Sequence, residues 1–561
     1  MKGLASVVLC LWALGAQAQE SIMQQRIETV NEDLGGLQRF YNIPSSPTRV
    51  ERLTKYYTDQ LGELKKLSFD KLDRDSQIDY LLLKHFLESS QRRIKIDARL
   101  DGDSLSIRPF SKRIIDLCEA RQQMKPISPE ECAASMKALQ DEIKKVRAEV
   151  EKGVKMDKTV ALRGANIVDD LKRRLEEWFR FYNGYDPMFS WWVQKPYDEA
   201  HKELEAYIPV IKEKLVGIKE GDKDTIIGSP IGLDGLKDEL DAELIAYTPQ
   251  ELLALAEKEF AWCEKEMKKA SNEMGFGDDW KKALEKVKND HVEPGKQPEL
   301  IRNLALEAID YVKKNDLLTV PPLAEETWRM VMMSPEQQKV SPFFLGGETI
   351  MVSYPTSAMD HDAKLMSMRG NNKHFARATV FHELIPGHHM QMFMTARHRP
   401  YRQMFDTPFW IEGWALYWEM ILWDRGFTAT PEDRVGALFW RMHRCARIVF
   451  SLKFHMGQMT PQQCVDFLVE KVGHERSTAE GEVRRSFKGD YPPLYQAAYM
   501  LGALQIRTLR KEMVEGGKMT EKQFHDRFLT ENEMPIEILR ALMSDQKLSP
   551  DFKATWRFYD K

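Results

Sequence analysis

Residues 381–389 bring together side chains that could bind and use a metal ion. They read FHELIPGHH and contain the pair His382-Glu383, followed by His388 and His389. Imidazole nitrogens are common zinc ligands, and a neighbouring glutamate can serve as a general base. In the usual zinc-protease helix, HExxH places two histidine ligands one turn apart. Here the second histidine comes six or seven residues after the first, so the same chemistry would need a different backbone.

A kink at Pro386 and Gly387 would reconcile this spacing with a shared metal ion. In a straight helix His382 and His389 share a face but lie roughly 10 Å apart, at about 1.5 Å per residue. Zn–N bonds of about 2.0–2.1 Å cannot span that distance. Pro386 has no N–H and its ring clashes with the His382 carbonyl, while Gly387 tolerates unusual dihedrals. We therefore predict a kink or bulge that turns His388 toward His382, as such features often do at functional sites.

The predicted third ligand is Glu412, which lies in a mostly apolar helical segment. A carboxylate is costly to bury there unless it is paired or binds metal. Glu412 follows His388 by 24 residues, which leaves room for one helix to end and another to return. Glu419 lies two turns further on the same face and could orient a ligand histidine. The pattern predicts one zinc ion per chain, held by His382, His388 and Glu412, with His389 as the alternative second ligand.

The motifs HELIPGHHMQ and EGWALYWE resemble those of a large bacterial family known only as domain of unknown function 885. More distantly, they resemble helical zinc peptidases of the angiotensin-converting-enzyme and thimet-oligopeptidase kind. Those enzymes use HExxH plus a glutamate on the next helix, at a similar distance from the second histidine. The insertion therefore falls between the histidines, which favours His388 over His389. The resemblance covers the C-terminal half well and otherwise rests mainly on residues 231–236.

This resemblance implies further site residues in the C-terminal half. Tyr499 matches a tyrosine on a late helix that donates to the oxyanion, and Tyr495 stands where many relatives have Gln. Arg447 and His455 also match family positions, whereas Ser451 replaces the usual Asp. Arg447 could bind a substrate carboxylate through its two-pronged guanidinium, or form a buried ion pair, which is the preferred interpretation.

The clearest strand signal is at residues 347–354, ahead of Pro355 and about 30 residues before His382. In the resembled peptidases a strand at a similar distance binds the substrate backbone by strand addition. Tyr354 thereby becomes a candidate for substrate binding. A purely structural strand explains the same signal equally well.

Taken together, these residues predict a zinc metallohydrolase, and the resemblance implies a metallopeptidase acting on short peptides. Glu383 would be the general base for a zinc-activated water, with Tyr499 at the oxyanion. One alternative is hydrolysis of a non-peptide amide or ester. Another is a metal- or peptide-binding protein that has lost catalysis, against which the presence of Glu383 argues. Substrate length, endo- or exo-cleavage, side-chain preference and oligomeric state stay open.

Composition and the first residues limit the cellular setting. The formal net charge of −4 gives no sign of nucleic-acid binding. Residues 1–18 carry Lys2, a short apolar core and an A-x-A site at 16–18, which is typical of a signal peptide. That core is too short to span a bilayer, and no later segment is long and apolar enough. We expect export to the periplasm or medium, with a lipoprotein at Cys10 left open.

The rest of the chain predicts a mainly α fold, with two helical lobes around a cleft and a small β-sheet near the zinc helix. We divide it into a helical region at 19–225 and a catalytic region at 226–561, with a linker or long loop around 217–236. Five cysteines remain after the signal peptide, and Cys118–Cys132 is the preferred pair for any disulfide. Apolar periodicity predicts helices at 22–40, 47–67, 73–93, 129–152, 157–182, 197–214 and 249–273.

Overall fold

The computed structural model describes residues 21–222, 225–338, 343–487 and 491–559. Within these ranges the regular structure is almost entirely helical, with one sheet of two short strands. The prediction of a mainly α fold with a very small sheet is confirmed. The predicted signal peptide at residues 1–18 lies outside the described residues. No helix in the described part of the chain has the length and apolarity needed to cross a membrane.

The first half of the chain forms long helices joined by short turns. Most begin at a Ser, Thr or Asp whose side chain accepts a hydrogen bond from the first turn, which satisfies an otherwise free N–H. These helices are α1 Ile22–Phe40, α2 Pro47–Leu64, α3 Arg74–Gly102, α4 Ser111–Gln122, α5 Pro129–Glu151, α6 Lys158–Tyr182, α7 Pro187–Ile211, α8 Gly232–Ala242 and α9 Pro249–Glu273.

The second half alternates shorter helices with the two strands and then returns to longer helices. Its helices are α10 Trp280–Asn289, α11 Gln297–Lys314, α12 Pro322–Thr327, α13 Pro335–Gln338, α14 His361–Gly370, α15 Lys373–Glu383, α16 His388–Thr395, α17 Pro408–Asp424, α18 Pro431–His455, α19 Pro461–Phe467, α20 Arg476–Phe487, α21 Tyr495–Arg510, α22 Glu521–Thr530 and α23 Ile536–Met543. Single 3₁₀ or π turns occupy Phe69–Lys71, Leu105–Ile107, Lys212–Val216, Pro400–Phe405, Leu468–Val472 and Lys511–Glu515.

The strands β1 Arg329–Met332 and β2 Thr349–Val352 pair in parallel. On its other side β2 exchanges backbone hydrogen bonds with Leu345. A small apolar core packs β2 and Phe344 against α11 and α15. The sheet therefore lies beside α15, the helix that carries His382 and Glu383, and the segment 343–347 lies along β2.

Two larger apolar cores account for most of the buried side chains. The first core contains residues of the three helices α1, α2 and α3 together with residues between Leu236 and Phe558. The second contains Ile43 and residues between Ile107 and Val216. α15 and α17, two of the three helices that carry predicted metal ligands, belong to the first core; α15 packs against α18, and α17 packs against α21. The domain boundary, the two lobes and the cleft stay predictions.

Three local predictions need correction. All five cysteines in the described residues are free, including the predicted pair Cys118 and Cys132; the Cys118 thiol donates instead to the Arg174 carbonyl at 3.6 Å. α7 begins at Pro187 rather than 197, since Pro196 lies within the helix without ending it. The expected linker at 217–236 contains the start of α8.

Candidate metal centre

The helix that carries the HE pair breaks where the sequence predicts. α15 ends at Glu383 and α16 begins at His388. Between them the backbone turns at Leu384, and the N–H of Gly387 bonds to the Phe381 carbonyl at 3.0 Å instead of continuing the i to i−4 pattern. This motif has two more residues between its histidines than HExxH has, and the break accommodates them.

Gly387 is required here because the chain folds back tightly on itself. A Cβ atom at this position would lie 1.8 Å from the carbonyl oxygen of His382. Since its φ of −80° is open to any residue, the requirement is space and not a left-handed backbone. The Pro386 carbonyl accepts a 2.8 Å hydrogen bond from Trp414 Nε1, which fastens the break to α17.

The break brings His382 and His388 together against Glu412 on α17. Their ring centres are 5.0 Å apart and the rings are nearly perpendicular, at 85°. Glu412 Oε2 lies 3.8 Å from His382 Nε2 and 3.2 Å from His388 Nε2. Two ligands at about 2 Å from a tetrahedral zinc are roughly 3.3 Å apart. Both Glu412 distances are close to that value, and donor atoms of the two histidines lie within 4.8 Å of each other, so the three side chains could share one metal ion.

The remaining nitrogens of both imidazoles have partners that orient the rings. His382 Nδ1 lies 2.7 Å from Glu419 Oε1, and His388 Nδ1 lies 3.0 Å from Gln391 Oε1. Gln391 in turn donates to the Trp410 carbonyl at 3.2 Å. Such contacts fix the tautomer and leave Nε2 available to a metal. The structure thus places Glu419 where the sequence predicts a supporting carboxylate, and adds Gln391, which the sequence analysis missed.

The two oxygens of the buried Glu412 carboxylate differ in their contacts. Its Oε1 accepts a 2.5 Å hydrogen bond from the Tyr495 hydroxyl, whereas Oε2 forms no well-aligned hydrogen bond and faces the Nε2 atoms of His382 and His388. A buried carboxylate oxygen in this state costs free energy unless a cation occupies the site. The donor set therefore fits a metal ion. Tyr495, a predicted substrate-binding residue, also lines the cavity next to this cluster, and its contact with substrate stays a prediction.

The electrostatics of the cluster also favour a bound cation. Burial alone would lower the pKa of His382, but Glu412 and Glu419 raise it to about 9. Burial would raise the pKa of Glu412, but the two histidines hold it well below its usual range. The ionised carboxylates around His382 stabilise positive charge there, which is carried by a proton or, once that proton is displaced, by a divalent cation.

Glu383 lies beside the proposed ligands and faces the same space. One donor atom each from His382, Glu383 and His388 lie within 4.8 Å of one another. Burial raises the pKa of the Glu383 carboxyl above its ordinary value. Gly346 packs directly on this side chain, since a Cβ there would lie 2.1 Å from Glu383 Oε2. The segment along β2 therefore covers Glu383 with bare backbone.

Two glycines let α17 and α21 approach at backbone contact distance. A Cβ on Gly413 would lie 2.7 Å from the Gly502 Cα, and one on Gly502 would lie 2.2 Å from the Phe409 carbonyl oxygen. This crossing sets Glu412 against Tyr495. Gly413 and Gly502 therefore permit the close packing of these two helices.

The cluster opens into a cavity of about 480 Å³. The histidines and Glu383 line it together with Phe344, Gly346 and Trp440. Tyr499 also lines it, with its ring 6.4 Å from the His382 ring and nearly parallel to it. Tyr499 therefore lies within the space next to the metal cluster, as the sequence analysis expects of an oxyanion donor.

Three predicted site residues lie elsewhere. His389 is buried and its Nε2 bonds to the Ala324 carbonyl at 2.9 Å, so the structure groups His388 with the cluster and not His389. His455 is enclosed by Phe454 and Phe487 and does not line the cavity. Tyr354 also lies off the cavity, beyond the end of β2, where its N–H bonds to Gln338.

Arg447 takes part in the buried ion pair that the sequence analysis preferred. Its Nε donates to Glu482 Oε1 at 2.6 Å. Arg485 also lies near this carboxylate, with Nη2 3.3 Å from Glu482 Oε2. Both arginines nevertheless line the cavity, as does Arg444. Sequence reasoning missed Glu482 and Arg485, since no local motif marks them.

Comparison with known proteins gives a family but no activity. The family described as "Bacterial protein of unknown function (DUF885)" matches residues 43–543, and the chain belongs to this family. No curated protein matches it.

Two solved structures share the fold. One is described as a "putative lipoprotein of unknown function" from Shewanella oneidensis, with 17% identity and a TM-score of 0.70 over 93% of this chain and 100% of the other. The second, a "putative lipoprotein" from Colwellia psychrerythraea, is 16% identical with a TM-score of 0.56, over 89% and 91% of the two chains.

Proposed function

We propose that the protein is a zinc-dependent hydrolase that cleaves short peptides. The observation that carries this proposal is the convergence of His382 Nε2, His388 Nε2 and Glu412 Oε2. Three such ligands are typical of catalytic zinc, which keeps a fourth position open. Zinc held there would polarise the substrate carbonyl and make water a better nucleophile at neutral pH.

The side chains around the cluster supply the remaining chemistry. Glu383 takes the proton of the attacking water and delivers it to the departing amine. Tyr499, on the adjacent wall, donates its hydroxyl to the developing oxyanion. Glu419 and Gln391 hold the two imidazoles in orientation, and Tyr495 holds Glu412. The HExxH-plus-glutamate resemblance supports the same assignment of roles.

A cavity of about 480 Å³ suits a small substrate, because ligand pockets of a few hundred Å³ enclose molecules of small-peptide size. Its walls combine aromatic rings with polar groups, which is the composition expected for a specific small-ligand site. The choice of peptides over other amides or esters rests on the resemblance to helical zinc peptidases.

The direct test is the metal content of purified variants. His382→Ala, His388→Ala and Glu412→Ala should each lose bound zinc, measured by atomic emission per folded chain. His389→Gln is the matched control, since this neighbouring histidine bonds to a backbone carbonyl away from the cluster, and it should keep zinc. Equal zinc loss in the His388 and His389 variants would contradict the ligand assignment, and wild-type protein that binds no zinc would contradict the function.

We also propose that the chain is exported. The A-x-A site at residues 16–18 supports this, as do two structural relatives described as putative lipoproteins. The mature protein should begin at Gln19 and appear in the periplasmic fraction or the medium. Mass spectrometry of the secreted N-terminus checks this. A mature chain that begins at a lipid-modified Cys10 would contradict cleavage before Gln19 and indicate membrane anchoring.

A further inference from the structure

The cavity has a second, basic end formed by α18 and α20. Arg444 and Arg447 come from α18 and Arg485 comes from α20, and all three line the cavity. Arg444 and Arg447 rest on the ring of Tyr499, with their guanidinium carbons 4.8 and 4.4 Å from its centre. Stacking on an aromatic face holds a guanidinium in place while leaving its edges free to donate.

These guanidinium groups have donors that the protein leaves unused. Arg444 is 5% exposed and Arg447 is 3% exposed. Arg444 Nε, Arg447 Nη1 and Arg485 Nε are buried atoms without a hydrogen-bonding partner among the described residues. Other arginines also have unpaired nitrogens, but these three lie on residues that line one cavity, where an acceptor on a ligand would satisfy all of them.

Glu482 alone does not balance the positive charge of the three arginines at the basic end. Burial would raise the pKa of Glu482, but Arg447 and Arg485 lower it to about 2. Glu482 is therefore one negative charge beside three guanidinium groups, and the ionised Glu412 of the histidine cluster also acts on Arg444 and Arg447. Nearby His443 adds no charge, because burial and Arg447 lower its pKa well below the ordinary value.

Glu419 does not neutralise Arg444 either. It lies 3.8 Å from Arg444 Nη2, but its Oε1 also bonds to His382 Nδ1 at 2.7 Å. That carboxylate is thus shared with the histidine cluster. The wall keeps an excess of positive charge that faces the cavity.

The basic end lies close to the metal cluster. Tyr499 joins the two, since its ring centre is 6.4 Å from that of His382 and less than 5 Å from the guanidinium carbons of Arg444 and Arg447. Each guanidinium carbon is therefore at most about 11 Å from the imidazole. An extended chain covers about 3.3–3.6 Å per residue, so no more than about three residues separate the two ends.

We propose that Arg444, Arg447 and Arg485 bind a carboxylate of the substrate, within about three residues of the bond that is cut. A carboxylate matches the planar, two-pronged donors of arginine. This inference rests on the proposed function and adds a substrate class to it. The carboxylate is the C-terminus of a short peptide or an Asp or Glu side chain, and the two sources are separable by experiment.

The test uses tri- to hexapeptides made in three forms: with a free C-terminal carboxylate, with an amidated C-terminus, and amidated with one internal Asp or Glu. Calorimetry on the Glu383→Gln protein gives the binding of each form, and wild-type kcat/KM gives the cleavage. We expect a carboxylate-bearing form to be preferred by about 10–100-fold, the range for charge-assisted hydrogen bonds. Which form is preferred identifies the source of the carboxylate.

Arg444→Gln and Arg485→Gln, made separately, should each reduce this preference by about 10-fold. The matched control is Arg441→Gln on the same helix, because Arg441 is similarly buried and also has an unpaired Nε, but it pairs with Glu259 and lies off the cavity. It should leave the preference unchanged. Using two variants guards against one that fails to fold, and the ratio between peptide forms cancels a general loss of activity.

The outcomes separate this inference from the proposed function. Cleavage of free and amidated peptides at equal rates, with equal affinities, overturns the carboxylate site but leaves the hydrolase. Binding that prefers the carboxylate, without any cleavage by zinc-loaded protein, leaves the site but overturns the hydrolase. Failure to bind or cleave any peptide form counts against both.

Discussion

At the scale of single residues, substitution of Glu383 tests whether the protein is an enzyme or only a binding protein. Glu383→Gln preserves size and hydrogen bonding but cannot take up a proton. We expect the variant to keep zinc and peptide binding while kcat falls by roughly 10²–10⁴-fold, the usual contribution of a general base. Zinc analysis and peptide turnover measured on the same preparation check this. A variant with wild-type turnover would remove Glu383 from the mechanism.

Tyr495 gives a second residue-scale prediction, since it holds Glu412 without touching the proposed metal position. Tyr495→Phe removes the hydrogen bond to Glu412 Oε1 and should weaken zinc binding by about 10–100-fold, as is common when a supporting partner of a ligand is lost. Competition with a zinc chelator of known affinity measures this.

A second tyrosine provides the control for this variant. Tyr417→Phe, on the same helix as Glu412, removes a fully buried hydrogen bond, to His525 Nε2 at 2.6 Å. It should reduce stability without changing zinc affinity. If both substitutions weakened zinc to the same extent, the effect of Tyr495 would reflect general loosening of the helix.

At the scale of elements, the break between α15 and α16 is the feature that makes the ligands converge. Gly387→Ala would place a Cβ 1.8 Å from the His382 carbonyl oxygen, so the break must open and move His388. Displacements near 1 Å at an active site cost about 10²-fold in activity, and we expect at least that loss in kcat/KM, with weaker zinc binding.

Gly36→Ala is the control for this change, because a Cβ at that position in α1 meets nothing within 4 Å. In a helix interior this replacement stabilises by about 0.5–1 kcal/mol, so melting temperature should hold or rise. Full zinc occupancy and activity in the Gly387 variant would show that the break tolerates the added carbon and that the steric argument fails.

Local signals account for the elements that the sequence predicts well. α1 and α9 begin and end where the apolar periodicity predicts, and the structure caps them with Ser21 and Thr248. Thr248 forms a reciprocal capping box with Glu251, a signal contained within four residues. α7 was predicted to start ten residues late, because Pro196 looks like a helix breaker in sequence while its missing N–H is tolerated in the structure.

Within the candidate site, too, residues in local motifs are predictable from the sequence, whereas contacts between distant segments are not. His382, Glu383, His388, Glu412 and Glu419 belong to two local motifs, and the structure brings them together. The pairing of Arg447 with Glu482 spans 35 residues and two helices, and neither residue lies in a pattern that marks the other. His455 was carried over from a family position, but packing against Phe454 and Phe487 directs it away from the cavity.

At the scale of the whole molecule, the site joins distant parts of the chain. Its ligands and supporting residues come from α15, α16, α17 and α21, and its basic wall from α18 and α20. A metal ion bound at the centre would hold these helices together. Because the unfolded chain does not hold those ligands in place, metal binding should stabilise the folded state alone.

Removal of the metal should therefore lower the stability of the entire protein. With free zinc at about 1,000 times its dissociation constant, the linkage amounts to about 4 kcal/mol. A chelator should lower the melting temperature, and added zinc should restore it. Glu412→Ala, which lacks a ligand, should melt at one temperature with or without chelator. The contradicting outcome is a wild-type melting temperature that does not change when the chelator removes the zinc. It would mean that the ion does not couple these helices and that their packing alone sets the geometry of the site.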